Sequence, residues 1–219
     1  MITLYTAATP NGWKITTMMA ELELEYELVA VNLGENEQKQ PEFLKMNPNG
    51  RIPVIVDHEA GDFVVFESGA ILWYLAEKYQ QFIPSDVQQK SEVLQWLMFQ
   101  MSGVGPMMGQ ANVFFRYFPE KIPSVISRFQ TEVQRLFGVL DERLKDREYL
   151  VGDYSIADIA HWCWVHTHHW SGVELTPYEN LSAWKERIAA RKAVQKGISL
   201  PMKVSKEDVK KAGQKIIVT

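Results

Sequence analysis

The sequence predicts an α/β domain over residues 1–81 followed by an all-α domain over 88–202. Three observations carry this prediction. Short β-rich runs alternate with helical periodicity through the first third of the chain. Strand signals then stop. Between the two regimes lies "QQFIPSDVQQK", a polar stretch with a proline.

The elements follow in order. "ITLY" is a short apolar strand. Residues 13–24 carry helical periodicity, with Ile15, Met18, Met19 and Leu22 on one face. Between them stands Thr9-Pro10-Asn11-Gly12, which a plain connector would explain and a ligand-holding turn would explain equally. Residues 26–33, "YELVAVNL", alternate and form a second strand. Pro41 opens a short helix, and Asn47-Pro48-Asn49-Gly50 breaks it. "IPVIVD" and "FVVF" are strands joined by the turn residues "HEAGD". Ser68 reads as the N-cap of a helix over 69–79. The order βαβ, α, ββα makes a small four-stranded sheet with helices packed on it. Pro53 cannot donate to a ladder, so it belongs at a strand's first residue or in a turn, where a cis bond is accommodated.

The second domain reads as helices over 91–101, 122–144, from a capping box at Ser155 to Asp158 through about 169, and 181–190. "GVGPMMGQ" predicts a kink or break. Residues 203–219 form a Lys-rich tail, expected to be loosely held or a short surface helix.

Composition narrows the function. Of 219 residues 46% are apolar, and the net charge is -4 with the signs interspersed. A nucleic-acid binder would need a basic face, so none is expected as a partner. No apolar run is long enough to span a membrane. Met1 runs straight into a strand without a basic leader, and a cytoplasmic location is expected. The one cysteine, Cys163, allows neither an internal disulfide nor a CxxC pair, which fits a reducing compartment.

Three motifs stand in order and spacing with a known family. "NPNGRIPV" resembles the NPxGxxP segment of the glutathione transferases, "FESGAIL" their ESxAI segment, and "YSIADIA" their helical-domain capping signature. The likeness spans about residues 1–200. "TPNGWKIT", "LGENEQKQPEFLKMNPNGRIP", "LQWLMFQMSGVGPMMGQ" and "RFQTEVQRLFGVLDERL" narrow it to the nu-class bacterial members, which are more disulfide-bond oxidoreductases than conjugating enzymes. The resemblance implies a thioredoxin-like domain plus a helical bundle, a homodimer, and glutathione as co-substrate, with two molecules or glutathione disulfide in one site.

Glutathione needs partners for two carboxylates, one ammonium, a peptide backbone and a thiolate. Ser68 alone reads as a cap. Its hydroxyl and the helix-end N–H groups suit a carboxylate, and with Ile52-Pro53 in register the site reading is preferred; the resemblance implies that this is the γ-glutamyl carboxylate. The resemblance places the ligand ammonium at Glu67 and the cysteinyl backbone at Ile52, next to Pro53, as an added strand. Arg51 and Gln38 suit the glycyl carboxylate; for Gln38 a solvated loop role stands as an equal reading. Relatives place a Tyr, Ser or Cys near the glutathione sulfur. Tyr5 comes too early for this, and no Ser or Cys lies between residues 1 and 33. A Thr hydroxyl, an Asn amide and helix-end donors remain, and donors favour a thiolate. The resemblance to the nu class makes Thr9 and Asn11 the sulfur-side residues. It also matches Arg128 to an arginine reaching the neighbouring subunit's site, with a solvated helix charge as the other reading.

Cys163 lies mid-helix in "AHWCWVHTHHW" and is expected to be buried and inert. The reacting thiols of a disulfide reductase would then have to come from bound glutathione. His161, His166, His168 and His169 lack ligand-pair spacing, and an aromatic-rich helix is the expectation. Met107, Met108, Phe114, Phe115 and Tyr117 read as an apolar co-substrate pocket or, equally, as core or dimer contacts. The sequence thus predicts a glutathione-dependent disulfide-bond reductase acting on a small thiol or disulfide. S-conjugation of electrophiles, weak peroxide reduction and a non-catalytic glutathione-binding or scaffold role are the alternatives.

Overall fold

The computed structural model describes residues 1–201 and residue 213. It divides into two compact units: Met1–Gln81 with the segment that begins at Arg191, and Phe82–Ala190. The first unit runs β1 (Ile2–Thr6), α1 (Pro10–Glu21), β2 (Tyr26–Ala30), α2 (Pro41–Met46), β3 (Val54–Asp57), β4 (Phe63–Phe66), α3 (Ser68–Tyr79). The second unit contains α4 (Val87–Phe99), α5 (Gly105–Asn112), α6 (Pro123–Leu144), α7 (Ile156–Val165) and α8 (Glu179–Ala189), and α9 (Lys192–Ile198) returns to the first. The expected α/β plus all-α architecture is the observed one.

The sheet order is β2-β1-β3-β4. β1 pairs parallel with β2 and antiparallel with β3, and β3 pairs antiparallel with β4. As an inner strand, β1 buries side chains on both faces. Tyr5, Leu33, Met46, Ile52 and Val64 pack with Val31, Phe43 and Val54 into one small core beside α2. Leu4, Ile15, Met18, Ile55, Ile71 and Leu75 are fully buried where α1 and α3 pack.

Three first-unit expectations are corrected. α1 begins at Pro10, so Pro10-Asn11-Gly12 is not a connector but the helix's first turn. Thr9 caps it, and Pro10 fits a first turn because the missing N–H would have had no helical partner. Ser68 is not an N-cap: Glu67 takes the cap position, with φ 71° and ψ 119°, and Ser68 is the first helical residue. Its hydroxyl is turned to Lys14 instead. Finally, residues 191–201 were expected within the helical domain, yet α9 packs on α1. Thr16 donates to the Gly197 carbonyl at 2.7 Å, and a β-carbon at Gly197 would lie 2.5 Å from Thr17 Cα. Arg191 forms a two-pronged pair with Glu21 at 2.7 and 2.8 Å. The expected tail, 203–219, lies outside the described residues apart from residue 213.

In the second unit, "GVGPMMGQ" does not break the helix. The backbone passes through π-helical turns at Gln100–Val104 and Val113–Tyr117, flanking α5. The Gly105 N–H bonds to the Gln100 carbonyl across the first, and Pro106 then falls in α5's first turn. α7 stops at Val165, earlier than expected, and a short 3-10 turn covers His168–Ser171. The capping box is present. Its Asp158 is fully buried and accepts from Leu150 N, Ser155 N, Ser155 Oγ and Trp184 Nε1, at 2.9 to 3.1 Å. Burial pushes its carboxyl up to about 6, against those bonds.

Candidate functional site

The sheet's register gathers one end of four strands. Thr6 pairs with Ala30, Tyr5 with Val54, and Val54 with Phe66. The ends of β1, β2 and β4 therefore lie beside the start of β3. The segments that leave or enter there carry Thr9 and Asn11, Gln38, Arg51 to Pro53, and Glu67 with Ser68. These eight expected site residues come from four separate stretches of sequence, and the strand pairing brings those stretches to one edge.

Thr9 has the extended backbone of an N-cap, and its Oγ1 accepts the Gly12 N–H at 3.2 Å. That bond uses the hydroxyl as acceptor, and its proton still has a donor role to fill. α1 has no acidic residue in its first turn, so the positive end of the helix dipole is not offset there. Asn11 follows in that turn, half-buried. Together the hydroxyl, the amide and the helix end form a donor-rich corner at the end of β1.

Ile52-Pro53 is cis and stands just outside the β3 ladder. The preceding loop is shaped by Asn47, which is buried. Its Nδ2 donates to the Arg51 carbonyl at 2.7 Å and its Oδ1 accepts from Asn49 N at 3.0 Å. Gly50 has φ +61°, and a β-carbon there would lie 2.9 Å from the Gln38 carbonyl oxygen. This close approach joins the Gln38 loop to the Arg51 loop. Gln38 is 7% exposed, and its Oε1 is buried with no hydrogen-bond partner among the described residues. Arg51 is exposed and makes no ion pair among the described residues.

Glu67 has a positive φ that only glycine adopts freely, and its side chain is exposed. Ser68 is buried, with its Oγ 3.1 Å from Lys14 Nζ. Lys14 was missed by sequence reasoning, as was Asn47. Lys14 is 1% exposed, one of the largest fully buried side chains in the protein. The available signal was its position: three residues after Asn11 and four before Met18, it falls on the buried stripe of α1.

Arg128 is not part of this assembly. It lies on α6 in the second unit, exposed and 3.8 Å from Glu132, which also pairs with Arg135. Cys163 is buried on α7, as expected. His161 is buried, with Nδ1 2.9 Å from the Ala157 carbonyl and its ring stacked on Phe99. His166 stacks on Trp162, and burial lowers its pKa. Among the described residues no group of three or more His, Cys, Asp or Glu could hold a metal. Of the suggested apolar set, Met108 and Tyr117 are buried, Phe114 stacks on Phe129, and Phe115 is exposed. No helix among the described residues is long and apolar enough to cross a membrane.

Residues 1–77 match the family model for the glutathione S-transferase N-terminal domain, and residues 106–192 that for the C-terminal domain. The disulfide-bond oxidoreductase YfcG of Escherichia coli K12 is 47% identical over 198 residues, covering 88% of this chain and 92% of the relative. A glutathione transferase from Burkholderia graminis, solved with two glutathione molecules per subunit, is 40% identical with a TM-score of 0.90, covering 93% of this chain and 89% of that one. One from Pseudomonas putida, with one glutathione disulfide per subunit, is 38% identical with a TM-score of 0.89, covering 91% of each chain.

Proposed function

Since the chain belongs to the glutathione S-transferase family, we propose that it is a glutathione-dependent disulfide-bond reductase whose reacting sulfurs belong to bound glutathione. The carrying observation is the location of its sulfur. The sequence has one cysteine, and it is buried mid-helix in the second unit. The edge that gathers the expected ligand residues has none. What stands there is a Thr hydroxyl, an Asn amide and a helix N-terminus, groups that hold a thiolate rather than supply one.

In this reading Thr9 and Asn11 face the glutathione sulfur and lower its pKa from the ordinary thiol value of about 8.5. Ser68 and the first turn of α3 hold the γ-glutamyl carboxylate, and Glu67 the ammonium. Ile52, set by Pro53, pairs with the cysteinyl unit, while Gln38 and Arg51 hold the glycyl carboxylate. One glutathione thiolate attacks a sulfur of the substrate disulfide, forming a mixed disulfide and expelling one substrate thiolate, which takes up a proton. The thiolate of a second glutathione attacks the glutathione sulfur of that mixed disulfide. This releases glutathione disulfide and the other substrate thiol. Two electrons pass from two glutathiones to one disulfide. The two-glutathione and glutathione-disulfide complexes of the Burkholderia and Pseudomonas relatives support both ends of this sequence. The working form is a homodimer in the cytoplasm, with Arg128 extending to the partner's site.

The test is a paired assay on purified protein, 2-hydroxyethyl disulfide against 1-chloro-2,4-dinitrobenzene. The proposal expects a larger kcat/KM for the disulfide. A larger value for the electrophile would make S-conjugation the main activity, and no rate with either, in folded protein that binds glutathione, would indicate a binding role.

A further inference from the structure

We propose that Arg116 is the receptor for a small organic carboxylate, in a site built wholly from the second unit. The inference does not rest on the glutathione reading above. Arg116 stands in the π-helical turn Val113–Tyr117, just before the backbone becomes extended at Phe118. Such wide turns aim side chains where a regular helix would not, and they recur at functional sites. Here the Arg116 guanidinium carbon lies 5.0 Å from the centre of the Tyr117 ring and 5.1 Å from that of Trp170. Aromatic faces attract the charge but do not accept its N–H groups as a carboxylate does. One N–H reaches Asn112 Oδ1 at 3.5 Å, a long contact for a hydrogen bond. No carboxylate among the described residues pairs with this half-buried guanidinium. Other arginines of the same unit differ: Arg135 and Arg143 each meet a glutamate at 2.7 Å.

The surroundings add to this charge rather than offset it. His168 and His169 stand in the short turn that carries Trp170. His169 is exposed, yet its pKa is lowered, first by partial burial and then by His168 and Arg116. Lys185 acts in the same direction, and Glu174 opposes them. An anion seated on Arg116 would relieve that repulsion, and the planar guanidinium matches both oxygens of a carboxylate. One guanidinium with one titratable imidazole beside it balances a single negative charge, which favours a carboxylate over a phosphate dianion. The framework is also fixed in advance. Gln130 Nε2 donates to the Ser171 carbonyl at 3.0 Å, and Ser171 Oγ donates to the Met108 carbonyl at 3.1 Å. His168 Nδ1 lies 2.7 Å from the Val173 carbonyl, which only accepts, so that nitrogen carries its proton. These bonds pin the turn to α5 and α6, and a ligand would meet Arg116 and Trp170 already in place. Stability alone does not call for the arrangement, because a half-buried cation without a carboxylate loses hydration that nothing of opposite charge replaces.

The experiment is an NMR titration of the whole protein with sodium propionate, read on the His169 ring and the Trp170 indole. Propionamide has nearly the same shape without the charge, and sodium chloride holds the ionic strength constant. We expect saturable shifts with propionate alone, at a Kd on the order of 10 mM or tighter. The His169 pKa should rise on binding, so affinity should increase as pH falls through that titration. Arg116→Gln should weaken binding about tenfold or more, the scale of a charge-assisted hydrogen bond, in protein whose circular dichroism is unchanged. Arg116→Lys should keep part of the affinity, since it retains the charge without the fork. Equal shifts with propionamide or chloride, no saturable shift with propionate, or a response that survives in Arg116→Gln would each overturn the proposal. Should Arg116→Gln fail to fold, the wild-type comparison of propionate with propionamide decides. A last arm identifies the source of the carboxylate. If saturating glutathione displaces propionate at the His169 signal, the natural ligand is a glutathione carboxylate; if propionate binds undisturbed, it is a different molecule. The glutathione reading stands or falls separately, by the paired assay above.

Discussion

Gly12 and Ala7 are so close that a β-carbon on Gly12 would lie 2.1 Å from the Ala7 carbonyl oxygen. The first turn of α1 is thus pressed onto the chain leaving β1, and only a residue without a side chain fits. This contact places Thr9 and Asn11 at the sheet's edge. Gly12→Ala should displace the helix start, because a backbone carbonyl cannot rotate aside as a side chain can. We expect a loss of about 2 to 3 kcal/mol in urea unfolding, of the order seen for overpacked sites, with activity lost beyond what stability explains.

Thr9 and Asn11 separate capping from chemistry. Thr9→Ala removes a cap, for about 1 kcal/mol of stability, and in the proposed reading it also removes a donor to the thiolate. The pKa of bound glutathione, read from the pH dependence of the disulfide rate, should rise. Thr9→Ser should keep both the cap and the lower pKa. Asn11→Ala should reduce turnover far more than stability, and equal losses would confine Asn11 to shaping the turn.

Asp158 ties three parts of the second unit together through four accepted hydrogen bonds. Asp158→Asn keeps the shape but replaces one acceptor oxygen with a donor. At least one buried N–H then faces another, and we expect a loss of about 2 to 4 kcal/mol in chemical denaturation. Glutathione affinity per folded molecule should be unchanged.

Asp57 gives the acid limb of stability. It is buried at the end of β3 and accepts from Tyr74 at 2.7 Å and Lys78 at 2.5 Å. Burial alone would raise its pKa, but the bonds from Lys78 and Tyr74 outweigh it and hold the carboxyl below its ordinary value. A folded-state pKa below the unfolded one stabilises the protein above the unfolded value of about 4. That contribution is lost as pH falls through the folded value. Stability measured from pH 7 downward should drop more steeply below about pH 4 in wild type than in Asp57→Asn.

The sheet was legible in the sequence because its strands are short, β-rich and punctuated by Pro, Asn and Gly. That the expected site residues belong together was implied by the family resemblance, and the strand register accounts for their sharing one edge. What was hidden has physical reasons. Pro10-Asn11-Gly12 carries turn residues, yet Thr9 and Pro10 in sequence also make a cap and a first helical position. Ser68 has the chemistry of a cap, but its hydroxyl is taken by Lys14, and Glu67 adopts a strained backbone in its place. Lys14 itself hides because a lysine on an apolar stripe is read as a long side chain reaching water. The docking of α9 depends on Gly197 meeting Thr16 and Thr17, about 180 positions apart. No local pattern records such a contact.

The central claim is that the reacting sulfurs are not the protein's own. Its most direct test is the rate of 2-hydroxyethyl disulfide reduction by glutathione, coupled to glutathione reductase, in Cys163→Ala beside wild type. The account predicts equal rates in the two proteins. A folded Cys163→Ala protein that binds glutathione but no longer reduces the disulfide would contradict it.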